Sequence, residues 1–164
     1  MHKNSKLWLA DLKAMYPRHF EYASVLELGS KDVNGSVREF FDHCDYTGID
    51  KEPGEGVDIV VDARNTLFKK NFNTIICFSL LEHEEDWKTV LSHNVQFLME
   101  SGRMFFSFGS EGNIKHMDVW KPVPHKEFLA WAEFIGLEVM DSFFEEEKYG
   151  NNCRGCFNAI LKKL

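Results

Sequence analysis

The chain has 164 residues, 44% of them apolar and 27% charged, with 15 Phe. That suffices for one domain with an aromatic core and excludes a disordered chain. Nineteen basic against 26 acidic residues leave a net charge of −7, which disfavours nucleic-acid binding, since that depends on neutralising phosphates. No apolar run approaches the length of a membrane span.

The first predicted element is an amphipathic helix over residues 5–20. Trp8, Leu9, Leu12, Met15 and Tyr16 lie on one face, and the helix ends near Pro17. Residues 24–29 read as a short strand entering a turn, 35–41 as a short helix, and 45–50 and 57–62 as the second and third strands. Only about seven residues join those two strands, leaving little room for a helix. The apolar run 72–78 is a fourth strand. The clearest helical periodicity covers 84–100, with three acidic residues in its first turn and Gly102 as its cap. A fifth strand over 103–108, a helix over 124–135 and strands over 137–144 and 156–161 complete the chain. The polar segment 145–152, with its Glu145-Glu146-Glu147 run, reads as a solvated hairpin loop. Strands alternating with helices predict an α/β domain, a mostly parallel sheet with helices on both faces.

Four cysteines are too few for a disulfide scaffold. Cys77 reads as core, while Cys153 and Cys156 form a lone C-x-x-C with no second pair, so no metal is expected. The N-terminal hexapeptide Met1-His2-Lys3-Asn4-Ser5-Lys6 lacks the apolar segment of a signal peptide. The expected location is cytoplasmic, with the two thiols in a loop.

In open α/β sheets the ligand sits at the carboxyl ends of the strands. The first strand delivers Glu27-Leu28-Gly29-Ser30-Lys31 and a loop to Gly35. The second ends in Asp50, 21 residues after Gly29 (50 − 29), where a carboxylate can hold a ribose diol. The third ends in Asp62-Ala63 and the fourth in Phe78-Ser79. The implied pocket is acidic and suits a cation better than a pyrophosphate. Neither G-x-G-x-x-G nor G-x-x-x-x-G-K-[ST] is present, which disfavours dinucleotide and P-loop readings.

Four segments, VLELGSKDVNGSVREFF, YTGIDKEPGEGVDIVVDA, FNTIICFSLLEHEEDW and SGRMFFSFGSEG, resemble the small class I, Rossmann-like, S-adenosylmethionine-dependent methyltransferases, and the resemblance covers nearly the whole chain. The chain departs from the family's acidic-x-G-x-G-x-G pattern: Ser30 stands near the second glycine, and the next glycine is Gly35. The resemblance implies a single domain over 1–164, with 1–22 packed on it as an N-terminal helix. It also implies a seven-stranded mixed sheet in the order 3-2-1-4-5-7-6, the seventh strand antiparallel.

The resemblance further implies S-adenosylmethionine as cofactor. Glu27 and the loop of Gly29, Ser30, Lys31 and Gly35 would hold its methionine end. Asp50 would accept from the ribose hydroxyls and Lys51 would lie over the adenine. Asp62 and the Ala63 backbone would meet the adenine amino group, and Phe78 and Ser79 would line the sulfonium. Each of these positions also has a purely structural reading as a cap, turn or core residue.

The long polar segment 109–125 is expected to form a mobile lid on the acceptor side. His116, Asp118 and His125 are its candidate acid–base groups, and His83, after the fourth strand, is a further one. The expected reaction is methyl transfer to a small molecule or glycan precursor. The alternatives are a methyltransferase-like scaffold without turnover and a nicotinamide-dependent oxidoreductase.

Overall fold

A computed structural model describes residues 3–110, 121–150 and 155–164. Seven strands form one sheet in the order β3-β2-β1-β4-β5-β7-β6. They are β1 (Ser24–Leu28), β2 (Asp45–Asp50), β3 (Ile59–Val60), β4 (Phe72–Phe78), β5 (Leu98–Gly109), β6 (Leu137–Phe144) and β7 (Cys156–Lys163). β1 to β5 are parallel, and β7 runs antiparallel between β5 and β6. The four longer helices are α1 (Lys3–Met15), α2 (Trp87–Asn94), α3 (His125–Phe134) and the five-residue α4 (Glu145–Tyr149). The sheet order, with its antiparallel seventh strand, agrees with the expectation.

The period-2 alternation of the strands divides the core between two faces. Leu26, Leu28, Ile75, Cys77, Met104 and Phe106 point to one face, where Trp87, Val90 and Leu91 of α2 and Phe128 and Ala132 of α3 cover them. Val25, Ile76, Phe105 and Ile160 point to the other, under Trp8, Leu9 and Leu12 of α1. Trp8 is fully buried and stacks on Phe78 at 5.1 Å.

Several predicted boundaries move. The N-terminal helix ends at Met15, and Pro17–His19 form a separate 3-10 turn, because Pro17 cannot continue the helical hydrogen bonds. The 35–41 helix is a 3-10 turn, Val37–Phe40, whose first free N–H is met by the Ser36 hydroxyl. β3 keeps only two residues of the predicted six.

The 84–100 helix starts at Trp87, where Asp86 accepts from the Thr89 N–H, and gives way after Asn94 to a 3-10 turn at Val95–Phe97. Leu98 already pairs with Phe72 as strand, so Gly102 lies inside β5. A Cβ there would meet the Leu98 side chain at 2.7 Å, beside a register shift between Phe72 and Thr74. The 145–152 segment contains α4, and Glu145 is fully buried rather than solvated: Ser5 and Ser107 hydroxyls donate to its Oε1. Cys156 is disulfide-bonded rather than a reduced thiol, whereas Cys44 and Cys77 are free. Among the described residues no helix is long and apolar enough to cross a membrane.

Candidate functional site

The carboxyl ends of β1, β2 and β4 converge on a narrow crevice of about 10 Å³, lined by Gly29, Asp50, Lys51, Asp62, Ala63, Leu80 and Glu84 among others. The turn after β1 is tied to β2: the N–H groups of Gly29 and Ser30 both donate to the Ile49 carbonyl at 2.9 Å. Gly29 has φ +77°, and a Cβ there would lie 3.0 Å from Leu80 Cβ. Both the left-handed backbone and the close approach therefore require glycine.

Ser30, the residue after Gly29 in this turn, is 2% exposed. Its side chain fits because Gly48 has none: a Cβ there would lie 2.7 Å from Ser30 Oγ. A Cβ on Gly56 would lie 2.5 Å from the Ser30 carbonyl, so Gly56 makes room for the backbone of the same turn. The space missing at Ser30 is supplied by β2 and the turn after it. Gly35, also at positive φ, donates its N–H to Asp32 Oδ1 at 2.6 Å and closes the loop.

The half-buried Asp50 carboxylate joins two turns. Oδ2 accepts from the Lys31 N–H at 3.3 Å and Oδ1 from the Glu52 N–H at 3.0 Å. Each oxygen retains acceptor capacity toward the crevice. Lys31 pairs with Glu52 at 2.6 Å. Lys51 pairs with Glu84 at 3.4 Å and so joins two residues of the crevice wall. Asp62 accepts from Arg64 through both carboxylate oxygens and from its backbone N–H, which holds the carboxyl down at about 2. The Ala63 carbonyl accepts from Asn94 Nδ2 at 2.7 Å, and Thr66 donates to Asn94 Oδ1. The fully buried Asn94 thereby fixes the turn after β3 to α2.

Glu27 lies within β1, two residues before Gly29, on the face of the sheet that α1 covers. It is 6% exposed, and its Oε2 accepts from the Tyr46 hydroxyl at 2.8 Å. Burial pushes its carboxyl up to about 7, with the Tyr46 hydrogen bond opposing. Phe78 is half-buried against Trp8. Ser79 is exposed with φ +55°, an unusual conformation for a residue with a Cβ, and its N–H donates to the Ser107 carbonyl at 2.7 Å. Backbone strain of this kind concentrates at functional sites.

A second cavity of about 240 Å³ shares Glu84 with the crevice and is lined also by Glu85, Asp86, Trp87, Lys121 and Glu127. The segment joining β5 to α3 returns beside it. Lys121 N–H donates to the Glu82 carbonyl at 3.2 Å, and Val123 N–H to the Gly109 carbonyl at 3.0 Å. His125 opens α3 with its ring 5.0 Å from Phe144 and 5.2 Å from Phe157, and its N–H donates to Ser110 Oγ. His83 ends the 3-10 turn Leu81–His83, half-buried. His116, Asp118 and most of the expected lid lie outside the described residues.

Sequence reasoning missed Tyr46, Glu82, Glu84 and Asn94. Glu82 is 2% exposed, and burial pushes its carboxyl up to about 7, opposed by its own N–H and that of Gly109. Tyr46 could not be found locally either: it shares a strand face with Gly48, but only the β1–β2 register pairs Gly48 with Glu27.

No protein-family model matches the sequence, and no curated protein does. The fold has many solved counterparts. The chain is similar to the 1,6-didemethyltoxoflavin-N1-methyltransferase of Burkholderia thailandensis, solved with 1,6-didemethyltoxoflavin and S-adenosylhomocysteine, at TM-score 0.75 and 14% identity over 99% of this chain and 79% of that one. It is similar to an S-adenosylmethionine-dependent methyltransferase from Clostridium acetobutylicum at TM-score 0.75 and 10% identity, covering 99% and 92%. N-methyltransferase NodS from Bradyrhizobium japonicum, in complex with S-adenosylhomocysteine, aligns at TM-score 0.74 and 15% identity, covering 99% and 88%. The architecture is the Rossmann-like class I methyltransferase fold.

Proposed function

We propose that the protein is an S-adenosylmethionine-dependent methyltransferase acting on a small molecule or glycan precursor by in-line displacement. The observation that carries this reading is the convergence of the Gly29 turn, the Asp50 carboxylate and the Asp62-Ala63 segment on one crevice, in a sheet of methyltransferase order. The residues fit the cofactor's chemistry: a half-buried carboxylate for a diol, a close-approach glycine, and an acidic surround for a cationic ligand. The structural counterparts that carry S-adenosylhomocysteine support it, as does the small heterocycle bound to the toxoflavin enzyme.

S-adenosylmethionine supplies a methyl group already activated on a sulfonium. The protein's work is then orientation and exclusion of water, and alignment alone contributes roughly 7–11 kcal/mol. Asp50 would accept from the ribose hydroxyls. Lys51 would lie against the adenine, and Asp62 and Ala63 would meet its amino group. Glu27, with the loop of Gly29, Ser30, Lys31 and Gly35, would hold the methionine end, and Phe78 and Ser79 would line the sulfonium. Lys51 and Glu84, which pair at 3.4 Å, both line the crevice, so parting them would widen it. The 240 Å³ cavity that shares Glu84 is the place for the acceptor. A hydroxyl or ammonium acceptor needs a base, for which His116, Asp118, His125 and His83 are the candidates.

Calorimetry with S-adenosylmethionine, S-adenosylhomocysteine and NAD tests the reading. Both S-adenosyl compounds should bind and NAD should not. NAD binding alone overturns it, and binding of none leaves a scaffold on the same fold. A methyl-transfer screen over amine and hydroxyl acceptors then identifies the substrate.

A further inference from the structure

We infer that Tyr46 is a positioning residue of the cofactor site, its hydroxyl holding the buried Glu27 carboxylate in place to receive the ammonium group of the bound S-adenosyl ligand. This rests on the proposed function. The contact follows from strand register. β1 and β2 pair in parallel with Glu27 opposite Gly48 and Val25 opposite Tyr46. Tyr46 and Gly48 share a face, so the phenol reaches Glu27 along the diagonal, a span open to long side chains. The resulting hydrogen bond is 2.8 Å long, to a carboxylate 6% exposed.

The phenol is itself held in place. The Arg38 guanidinium lies 4.5 Å over its ring and donates to the Tyr46 carbonyl at 3.4 Å. Arg38 is in turn paired with Asp58, whose carboxylate accepts from the Gly48 N–H at 2.7 Å. Phe41 packs edge-on against the ring at 5.2 Å. Four segments thus fix one hydroxyl on one carboxylate oxygen.

The charged and titratable groups facing Glu27 do not replace it. Arg38, on the 3-10 turn, favours the carboxylate, while Asp32 in the loop and Asp58 before β3 oppose it. From β4 the residue opposite Glu27 in register is the apolar Ile76, which carries no charge, and the Cys77 thiol next to it lies on the other face of the sheet. The Tyr46 phenol is pushed far up, chiefly by burial and the Glu27 charge, so it remains a donor. With Glu27 poised at about 7, an aminocarboxylate ligand meets an ionised partner more often as pH rises through neutrality. Removing the phenol moves that transition to higher pH.

Two ligands separate this role from a general structural one. S-adenosylhomocysteine carries the aminocarboxylate, and 5′-methylthioadenosine shares its adenine, ribose and sulfur but lacks it. By calorimetry between about pH 6 and 8, Tyr46→Phe should weaken S-adenosylhomocysteine about tenfold. It should also shift the pH midpoint upward and leave methylthioadenosine within about twofold. Glu27→Gln should weaken S-adenosylhomocysteine similarly and abolish the pH dependence through neutrality. Equal weakening of both ligands by Tyr46→Phe, or an unchanged pH profile, overturns the inference while the proposed function stands. Wild-type protein that binds neither ligand overturns both.

Discussion

The two halves of the sheet are built by different means. On one side β1, β2 and β3 have five, six and two residues and are joined by turns and a single 3-10 segment. Ile59 and Val60 at that edge are 44% and 56% exposed. On the other side β4, β5, β6 and β7 have seven, 12, eight and eight residues, with α2 and α3 on one face and α1 on the other. The short-stranded half supplies most of the crevice: tight turns, backbone N–H groups and carboxylates. The long-stranded half buries the large aromatic side chains. Binding chemistry and stability are therefore held by different residues.

The largest test of that division is Phe128→Ala. Phe128 is fully buried, 4.7 Å from Phe108 and 5.2 Å from Phe106 by ring centroid. Truncation should cost about 3–5 kcal/mol and lower Tm by about 10 °C, while the protein that remains folded binds S-adenosylhomocysteine as before. A matching loss of affinity would break the division. Asp50→Ala is the converse. Two hydrogen bonds to a charged group, less what water restores, amount to about 3 kcal/mol, or roughly a hundredfold in affinity. Tm without ligand should fall less than for Phe128→Ala, by what the bonds from the Lys31 and Glu52 N–H groups contribute less what water restores. Affinity retained within about threefold means that Asp50 does not hold the ribose.

Glu82→Gln reads the boundary between the halves. The Glu82 carboxyl is raised from its ordinary 4.5 to about 7 in the folded chain. Its contribution to stability is full below about pH 4.5 and is lost as pH rises through about 7, because the unfolded state ionises first. Relative to the variant, the wild type should lose about 2 kcal/mol between about pH 5 and 7. Asp62, held at about 2 by Arg64, has the opposite sign, and its stabilisation disappears only in strong acid. Denaturant titrations at several pH values, wild type against Glu82→Gln, measure the difference; a flat difference places Glu82 in a better-solvated site than its 2% exposure indicates.

The smallest effect belongs to Lys51→Ala. The Lys51 side chain is 57% exposed and its pair with Glu84 is long at 3.4 Å. Exposed pairs contribute about 0–1 kcal/mol, so affinity should change by less than about threefold, and thermal shift should show little change in the free protein. A larger gain in affinity on removing Lys51 would show that opening the crevice is a substantial barrier.

Several strands on both sides of the sheet were legible from residues alone. β2 and β4 occupy the predicted 45–50 and 72–78, and β6 the predicted 137–144. In each, apolar residues are bounded by turn or polar signals that need no distant partner. The strand-end positions Gly29, Asp50 and Asp62 follow from the same local pattern and line one crevice. The end of α2 was not legible: Leu98 satisfies helical periodicity, yet pairing with Phe72 draws it into β5. The acidic run at Glu145 reads as solvated until α1 and β5 bring Ser5 and Ser107 to it.

Local patterning therefore determined which segments become strands, where the chain turns, and which carboxylates end up beside the sheet's carboxyl edge. Only the tertiary structure decided what those carboxylates are. Glu27 and Asp62 are both acids at the strand ends, yet one sits near neutrality under Tyr46 and the other is held at about 2 by Arg64. Burial, register and the charges that meet across the sheet set that difference, and none of these is a property of a residue's neighbours in sequence. Ser30 makes the same point in packing: a glycine 18 residues further on (48 − 30) leaves room for its side chain, and one 26 residues further on (56 − 30) leaves room for its carbonyl.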